Sequence, residues 1–289
     1  MRWSERRRRF RTLFAGGRCV HPGSVFDPLS ARIAAELGFE AGMFAGSVAS
    51  LTVLGAPDHI VLTLSEFADQ AHRINRAGEL PLMVDADHGY GNALNVTRTV
   101  EELETAGVAG LSIEDTLLPQ PFGASGKAQL VSVEEGAGKM RAALAGRRDP
   151  QLVIAGRTSA VSVAGVDEAI RRITAYEAAG VDAIFLIGVK TKEQLAACRN
   201  AVTLPLILGG AGPEIMDLDY LSSMGVKLCL QGHQPFMAAV QAVYDTLAAL
   251  RAGTPPKDLA GVASSETMKR LSGDADYAAW MEDFLGAGR

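Results

Sequence analysis

"ETAGVAGLSIED" (residues 104–115) is a helical tail, a glycine, and a short apolar run ending in two carboxylates. A glycine at that point suits the position just past a helix C-terminus, where φ > 0 is often required. The layout recurs in "AELGFEAGMFAG" (35–46), "EAAGVDAIFLIG" (177–188) and "SSMGVKLCLQG" (222–232), with Gly38, Gly107, Gly180 and Gly225 in equivalent places. The apolar runs "LPLMVDAD" (80–87), "QLVIAGRT" (151–158) and "LPLILGG" (204–210) fall between these units. A first strand is predicted near residues 18–22, which makes eight.

The intervening segments read as helices. Residues 65–77 and 166–179 carry apolar residues at the helical period, with Ser65 and Asp167 as predicted helix starts. Nearly continuous apolar strands alternating with helices imply a parallel sheet covered on both faces. Eight such units over about 250 residues predict an α/β fold of the closed (β/α)8 TIM-barrel type. The competing topology is an open doubly wound sheet, but no Gly-x-Gly-x-x-Gly loop follows the first strand. Residues 1–289 are read as a single barrel domain, with 252–289, opened by "GTPP" (253–256), as a C-terminal helical extension. Within it, "AAWMEDFL" (278–285) has an apolar face too large for water and is predicted to pack on a neighbour.

A net charge of -5 gives no general reason to expect a nucleic-acid partner. Arg6 to Arg9 form a basic run, read as the solvated face of a first helix, with a basic anchor or targeting peptide as the functional alternative. No apolar run approaches the ~20 residues of a membrane span. Cys19, Cys198 and Cys229 have neither metal nor disulfide spacing, which fits a reducing cytoplasm.

In such barrels the chemistry sits where strands end. The polar residues predicted there are Ser47 and Ser50, Asp85 and Asp87, Glu114 and Asp115, Arg157 and Thr158, and Gln231 and His233. The strands before Gly188 and Gly209 offer little. Side chains alternate along a strand, so Asp85 and Asp87 point to one side, the barrel cavity. Crowded carboxylates need a compensating cation. An all-oxygen set with Glu114 suits Mg²⁺ or Mn²⁺, with one direct carboxylate and the others acting through water. The bland reading pairs both aspartates with arginines or uses them as helix caps. Gly89 and Gly91 would let the following loop turn sharply. Arg157 presents a fork matched to a carboxylate, or else neutralises the acidic cluster. Ser47 holds an anion or simply makes a turn. His233 is a candidate site residue or a structural histidine. His88 is read as an exposed loop residue.

The stretches "VDADHGYGNA" (84–93), "SIEDTLLPQ" (112–120), "IAGRTSA" (154–160) and "FAGSVAS" (44–50) resemble, in order and spacing, the isocitrate lyase/phosphoenolpyruvate mutase superfamily over roughly residues 10 to 250. The resemblance implies a barrel whose eighth helix swaps between subunits, in a homotetramer built as a dimer of dimers. It implies Mg²⁺ and 2-oxo acid substrates. Asp85 would be the direct metal ligand, with Asp87 and Glu114 acting through water. Ser47 and Arg157 would hold the substrate carboxylate. Asp58, in "GAPD" (55–58), matches an aspartate of the mutase and hydrolase branches.

The departures choose a branch. "LLPQPFGASGK" (117–127) lacks the lyase cysteine and the mutase gating asparagine, and Ser159 replaces an acidic or amide residue. With "QGH" (231–233), the resemblance is closest to the branch that decarboxylates oxaloacetate to pyruvate and CO₂, where His233 would contact substrate or supply a proton. The alternatives are a C–C lyase acting on methylisocitrate- or dimethylmalate-like acids, a phosphonopyruvate hydrolase, and a non-catalytic barrel.

Overall fold

The computed structural model describes residues 3–124 and 126–286. The chain divides after His233 into two compact units. In the first, eight parallel strands pair strictly in chain order. They are β1 (Gly23–Ser24), β2 (Gly42–Phe44), β3 (Leu82–Asp85), β4 (Gly110–Glu114), β5 (Val153–Thr158), β6 (Ala183–Leu186), β7 (Leu206–Leu208) and β8 (Val226–Cys229). The ring closes through Val20, which bridges to Leu228. The Val20 N–H donates to the Lys227 carbonyl at 2.9 Å, and the Cys229 N–H donates to the Val20 carbonyl at 3.1 Å. The first strand, predicted at 18–22, is therefore one bridge at Val20 followed by regular pairing from Gly23.

The four recurring glycines meet the expectation, with φ of 83° at Gly38, 87° at Gly107, 97° at Gly180 and 74° at Gly225. Each ends a helix in a conformation that a Cβ disfavours. The helix starts differ from the reading by a residue or two. Leu64–Arg76 is capped by Thr63, whose hydroxyl accepts from the Glu66 N–H while the Glu66 carboxylate accepts from the Thr63 N–H. Ser65 lies inside the first turn. Val166–Ala179 starts after Gly165, and Asp167 sits in its first turn, where a carboxylate favours the positive helix end.

Two apolar layers hold the barrel. The inner one gathers Met43, Met83, Val153, Phe185, Ile207 and Leu228 from the strands, with Phe10 from the first helix (Trp3–Ala15). A Cβ at Gly110 would stand 2.5 Å from the Phe10 ring, so a glycine there lets the helix seat. The outer layer lies between strands and helices and includes Phe44, Phe67, Val100, Leu111, Met140 and Tyr176.

The arginine run does not form a solvated face. Arg6 and Arg7 are buried, while Arg8 and Arg9 are exposed. Arg6 donates to the carbonyls of Asn75 (2.7 Å) and Gly78 (2.5 Å). Arg7 donates to the carbonyls of Val108 (2.9 Å) and Glu104 (2.5 Å) and pairs with Asp149 at 2.9 Å. These carbonyls lie at and just beyond helix C-termini, where backbone acceptors lack intrahelical partners. Consecutive charge in the sequence hid this role, because two of the four arginines point inward.

The second unit contains the helices Gln234–Arg251, Ser265–Ser272 and Asp274–Leu285. No residue of Gln234–Arg251 is buried, and Met237, Val240, Tyr244 and Leu247 are exposed at helical spacing. Trp280, Met281, Phe284 and Leu285 are exposed in the last helix. Among the described residues, no helix is long and apolar enough to cross a membrane.

Candidate active site

A cavity of about 610 Å³ lies at the C-terminal ends of the strands, lined by Ser47, Asp58, Asp85, Asp87, Glu114, Arg157 and His233 among others. The seven residues to which the resemblance gives a site role therefore face one space. Ser50, Asp115, Thr158 and Gln231 do not line it. Ser50 donates to the Pro57 carbonyl (3.2 Å). Asp115 is fully buried, accepting from Arg172 (2.9 Å) and from the Tyr176 hydroxyl (2.5 Å). Strand alternation separates Asp115 and Thr158 from the site, since each follows a site-facing residue, Glu114 or Arg157, and must point the other way.

Register decides which charges meet. Asp85 lies beside Ser112 across β3 and β4, and Glu114 lies beside Arg157 across β4 and β5. The Ser112 hydroxyl donates to Asp85 Oδ1 at 3.1 Å, and Arg157 Nη1 pairs with Asp85 Oδ2. Arg157 Nε is 3.3 Å from Glu114 Oε2, close enough to attract but off the line a hydrogen bond needs, so it stays a buried donor without a hydrogen bond. The Phe185 ring lies 5.6 Å from Arg157 Cζ and supports the guanidinium.

The loop after β3 turns as its glycines predict. Asp87 and Tyr90 have φ of 48° and 58°, with Gly89 at 78° and Gly91 at 149°. A Cβ at Gly89 would come within 2.4 Å of Val96 Cγ2, and one at Gly46 within 2.6 Å of Asp87 Oδ2. Gly46 thus gives the Asp87 carboxyl its place. His88 is a correction: it is buried, not an exposed loop residue, and burial pushes its pKa down to about 4.

Electrostatics favour an added cation. Four carboxyl groups (Asp58, Asp85, Asp87 and Glu114) share a cavity with one guanidinium. Burial, then repulsion from Asp85 and Glu114, raises Asp87 well above the usual carboxylate range. Burial raises Glu114 despite Arg157, and burial followed by the Asp85 charge raises Asp58. Burial opposes the charge on Arg157, but Asp85 and Glu114 outweigh it and keep the guanidinium protonated. A hard divalent ion would relieve this repulsion through oxygen donors alone, so the residues fit Mg²⁺ or Mn²⁺. Among the described residues, no three His, Cys, Asp or Glu side chains form a ready-made metal cage.

Several lining residues were not read from the sequence. His59, Ile60, Leu118, Pro119 and Gln120 arrive on loops, while Phe185, Ile187, Gly209 and Leu230 come from the later strands and their ends. The expectation that strands six and seven offer little is corrected, since they build much of the apolar wall. Parity held the signal: Phe185 pairs in register with Arg157, and Ile187 follows two residues on.

A parallel barrel with carboxylates and one arginine in a hollow at its strand ends defines a class of barrel enzymes acting on acidic substrates. Residues 10–251 match the model of the phosphoenolpyruvate phosphomutase family. The chain belongs to that family, within the isocitrate lyase/phosphoenolpyruvate mutase superfamily. It is 56% identical over 286 residues to an oxaloacetate decarboxylase of Bradyrhizobium diazoefficiens, covering 99% of each chain. Among solved structures, it is similar to a phosphonopyruvate hydrolase bound to oxalate and Mg²⁺ (30% identity, TM-score 0.85, 97% and 99% of the two chains). It is also similar to an oxaloacetate acetylhydrolase holding the inhibitor 3,3-difluorooxalacetate (30% identity, TM-score 0.85, 98% of each chain).

Proposed function

We propose that this chain is a Mg²⁺-dependent carboxy-lyase that converts oxaloacetate to pyruvate and CO₂, with Mn²⁺ as an alternative ion. The observation that carries the reading is the gathering of Asp85, Asp87, Glu114 and Arg157 in one cavity with an apolar wall. The full-length similarity to an oxaloacetate decarboxylase supports it. Asp85 would hold the ion directly, and Asp87 and Glu114 through water. The ion would supply a Lewis acid beside the keto oxygen, where negative charge develops as CO₂ leaves. Arg157 would fix the substrate's C1 carboxylate with its fork, and the Ser47 hydroxyl or N–H would give a further anchor.

The bond between C3 and the departing carboxylate breaks, its electron pair moves into the enolate, and one proton is added at C3. His233, which lines the cavity, would contact substrate there or relay that proton from water. Its Nδ1 lies 3.2 Å from the Ser24 hydroxyl. Burial lowers its pKa, with Asp85 opposing. No lysine or cysteine is among the residues lining the cavity, so no covalent intermediate is invoked.

Asp58 favours a second reading. It lines the cavity at the end of a loop that leaves the helical turn Ser50–Leu54 at Gly55, and it would serve a hydrolytic route. A product assay separates the routes. With oxaloacetate, pyruvate is expected as product, lost in EDTA and restored by Mg²⁺. Oxalate with acetate, or faster phosphate release from phosphonopyruvate, would assign a hydrolase instead.

The chain acts as a homotetramer, a dimer of dimers in which the eighth helix, Gln234–Arg251, packs on a partner. The exposed stripe Met237, Val240, Tyr244 and Leu247 supports this, since a helix face of that kind is unfavourable in water. Light scattering is expected to give a tetramer, and Val240→Glu with Leu247→Glu to give smaller species. An unchanged mass would remove this helix from the interface. A reducing cytoplasm suits three free, buried cysteines.

A further inference from the structure

The turn after β3 is held by its carbonyls. The Asp87 carbonyl accepts from the Glu114 N–H at 2.8 Å, that of His88 from Lys139 Nζ at 2.9 Å, and that of Gly89 from the Thr99 hydroxyl at 3.0 Å. Three consecutive acceptors are thus caught from three elements: the end of β4, the helix Val133–Gly146 and the helix Ala93–Thr105. The turn needs such support, because Asp87 and Tyr90 both sit at positive φ. A non-glycine residue there costs of order 1–3 kcal/mol and persists only where the surroundings over-determine it.

The Lys139 ammonium is the one charged donor group of the three. Lys139 is 3% exposed on the inner face of its helix, and no step of the proposed chemistry uses it. A buried ammonium is costly unless paired. Its attractive neighbours are Glu135, Glu114 and Asp115, and its ammonium donates to the His88 carbonyl. A buried charge kept for one backbone carbonyl beside Asp87 has a better explanation in positioning than in packing.

We propose that Lys139 is a positioning residue that fixes the Asp87–Gly91 turn, and with it the Asp87 carboxyl, by holding the His88 carbonyl. The link to ion binding rests on the metal-site reading above; the clamp itself does not. Lys139 touches neither substrate nor ion and acts through the turn.

Two measurements test it on the full chain. Hydrogen exchange is read over residues 85–96, where the Gly89 N–H donates to the Ala86 carbonyl at 2.9 Å and so reports whether the turn is closed. Lys139→Met is expected to raise exchange there at least tenfold while leaving peptides from β6 and β7 unchanged. Exchange unchanged in the turn, or raised equally throughout the barrel, would overturn the clamp. Lys139→Arg, which keeps the charge, is expected to restore most of the protection and serves as the test if the methionine variant does not fold; turn exchange as fast as a fully open turn in that variant counts against the proposal.

The second measurement is Mn²⁺ binding, read by electron paramagnetic resonance. Lys139→Met is expected to weaken it about tenfold in the native background and less than twofold beside Asp87→Asn, because both changes act through one carboxyl. Equal losses in the two backgrounds would overturn the route through Asp87. If the unaltered chain takes up no Mn²⁺, the metal-site reading fails, and the exchange result alone decides the clamp.

Discussion

Asp85→Ala is expected to abolish Mg²⁺-dependent oxaloacetate turnover in a chain that still folds. Asp85 is the carboxylate that the register of β3 and β4 places beside Ser112, with Arg157 on its other oxygen. Removing one preorganised group that stabilises developing charge typically costs about 10²–10³ in kcat. In the proposed role the same side chain would also hold the ion directly, so the loss should exceed that range. The structural cost is limited by the neighbours: Glu114 still faces Arg157, and Asp87 is relieved of its strongest repulsive partner. Breaking a buried ion pair alone costs about 3–5 kcal/mol, and the remaining carboxylates should hold the cost below that. Turnover with and without Mg²⁺, beside a thermal unfolding curve, checks both halves. A folded variant with normal Mg²⁺-dependent turnover would remove Asp85 from the proposed role.

Arg157→Ala should raise KM for oxaloacetate about 10- to 100-fold, since a hydrogen bond to a charged group contributes about 1.5–3 kcal/mol. It should also change how stability depends on pH. Asp87 and Glu114 already sit above their ordinary values, and without the guanidinium they should rise further. A carboxyl whose folded pKa exceeds its unfolded one stabilises the fold at low pH, and that contribution is lost as pH rises through the folded pKa. The variant's deficit against the unaltered chain should therefore shrink as pH falls from 8 toward 5.5. Unfolding midpoints across that range test the sign. A deficit that grows on acidification would mean that Arg157 does not neutralise these carboxyls, and an unchanged KM would place it outside the substrate site.

Much of the acidic site was legible because β structure has a period of two. Asp85 follows from parity along its strand, and Glu114 and Arg157 from their places at the ends of the next two; Asp87 lies past the strand end at φ 48°, so the turn and not strand alternation brings its carboxyl into the cavity. Parity was not applied to every strand end, so Asp115 and Thr158 entered as candidates although consecutive residues face opposite ways. The same rule, carried to Phe185 and Ile187, would have found the apolar wall. His88 and the pair Arg6 and Arg7 were misjudged for another reason. Their burial depends on segments 51 to 101 residues away, which hydropathy over a short window does not sense.

Local pattern alone was enough for the eight strand–helix units, the glycine stops and the side on which Asp85 and Glu114 point. Those properties arise from backbone geometry within a few residues. Which carboxylate meets Arg157, how Gly46 makes room for Asp87, and why Lys139 is buried under the β3 turn depend on strand register and helix seating. Those contacts join residues distant in the chain, and their energies take effect only once the ring has closed.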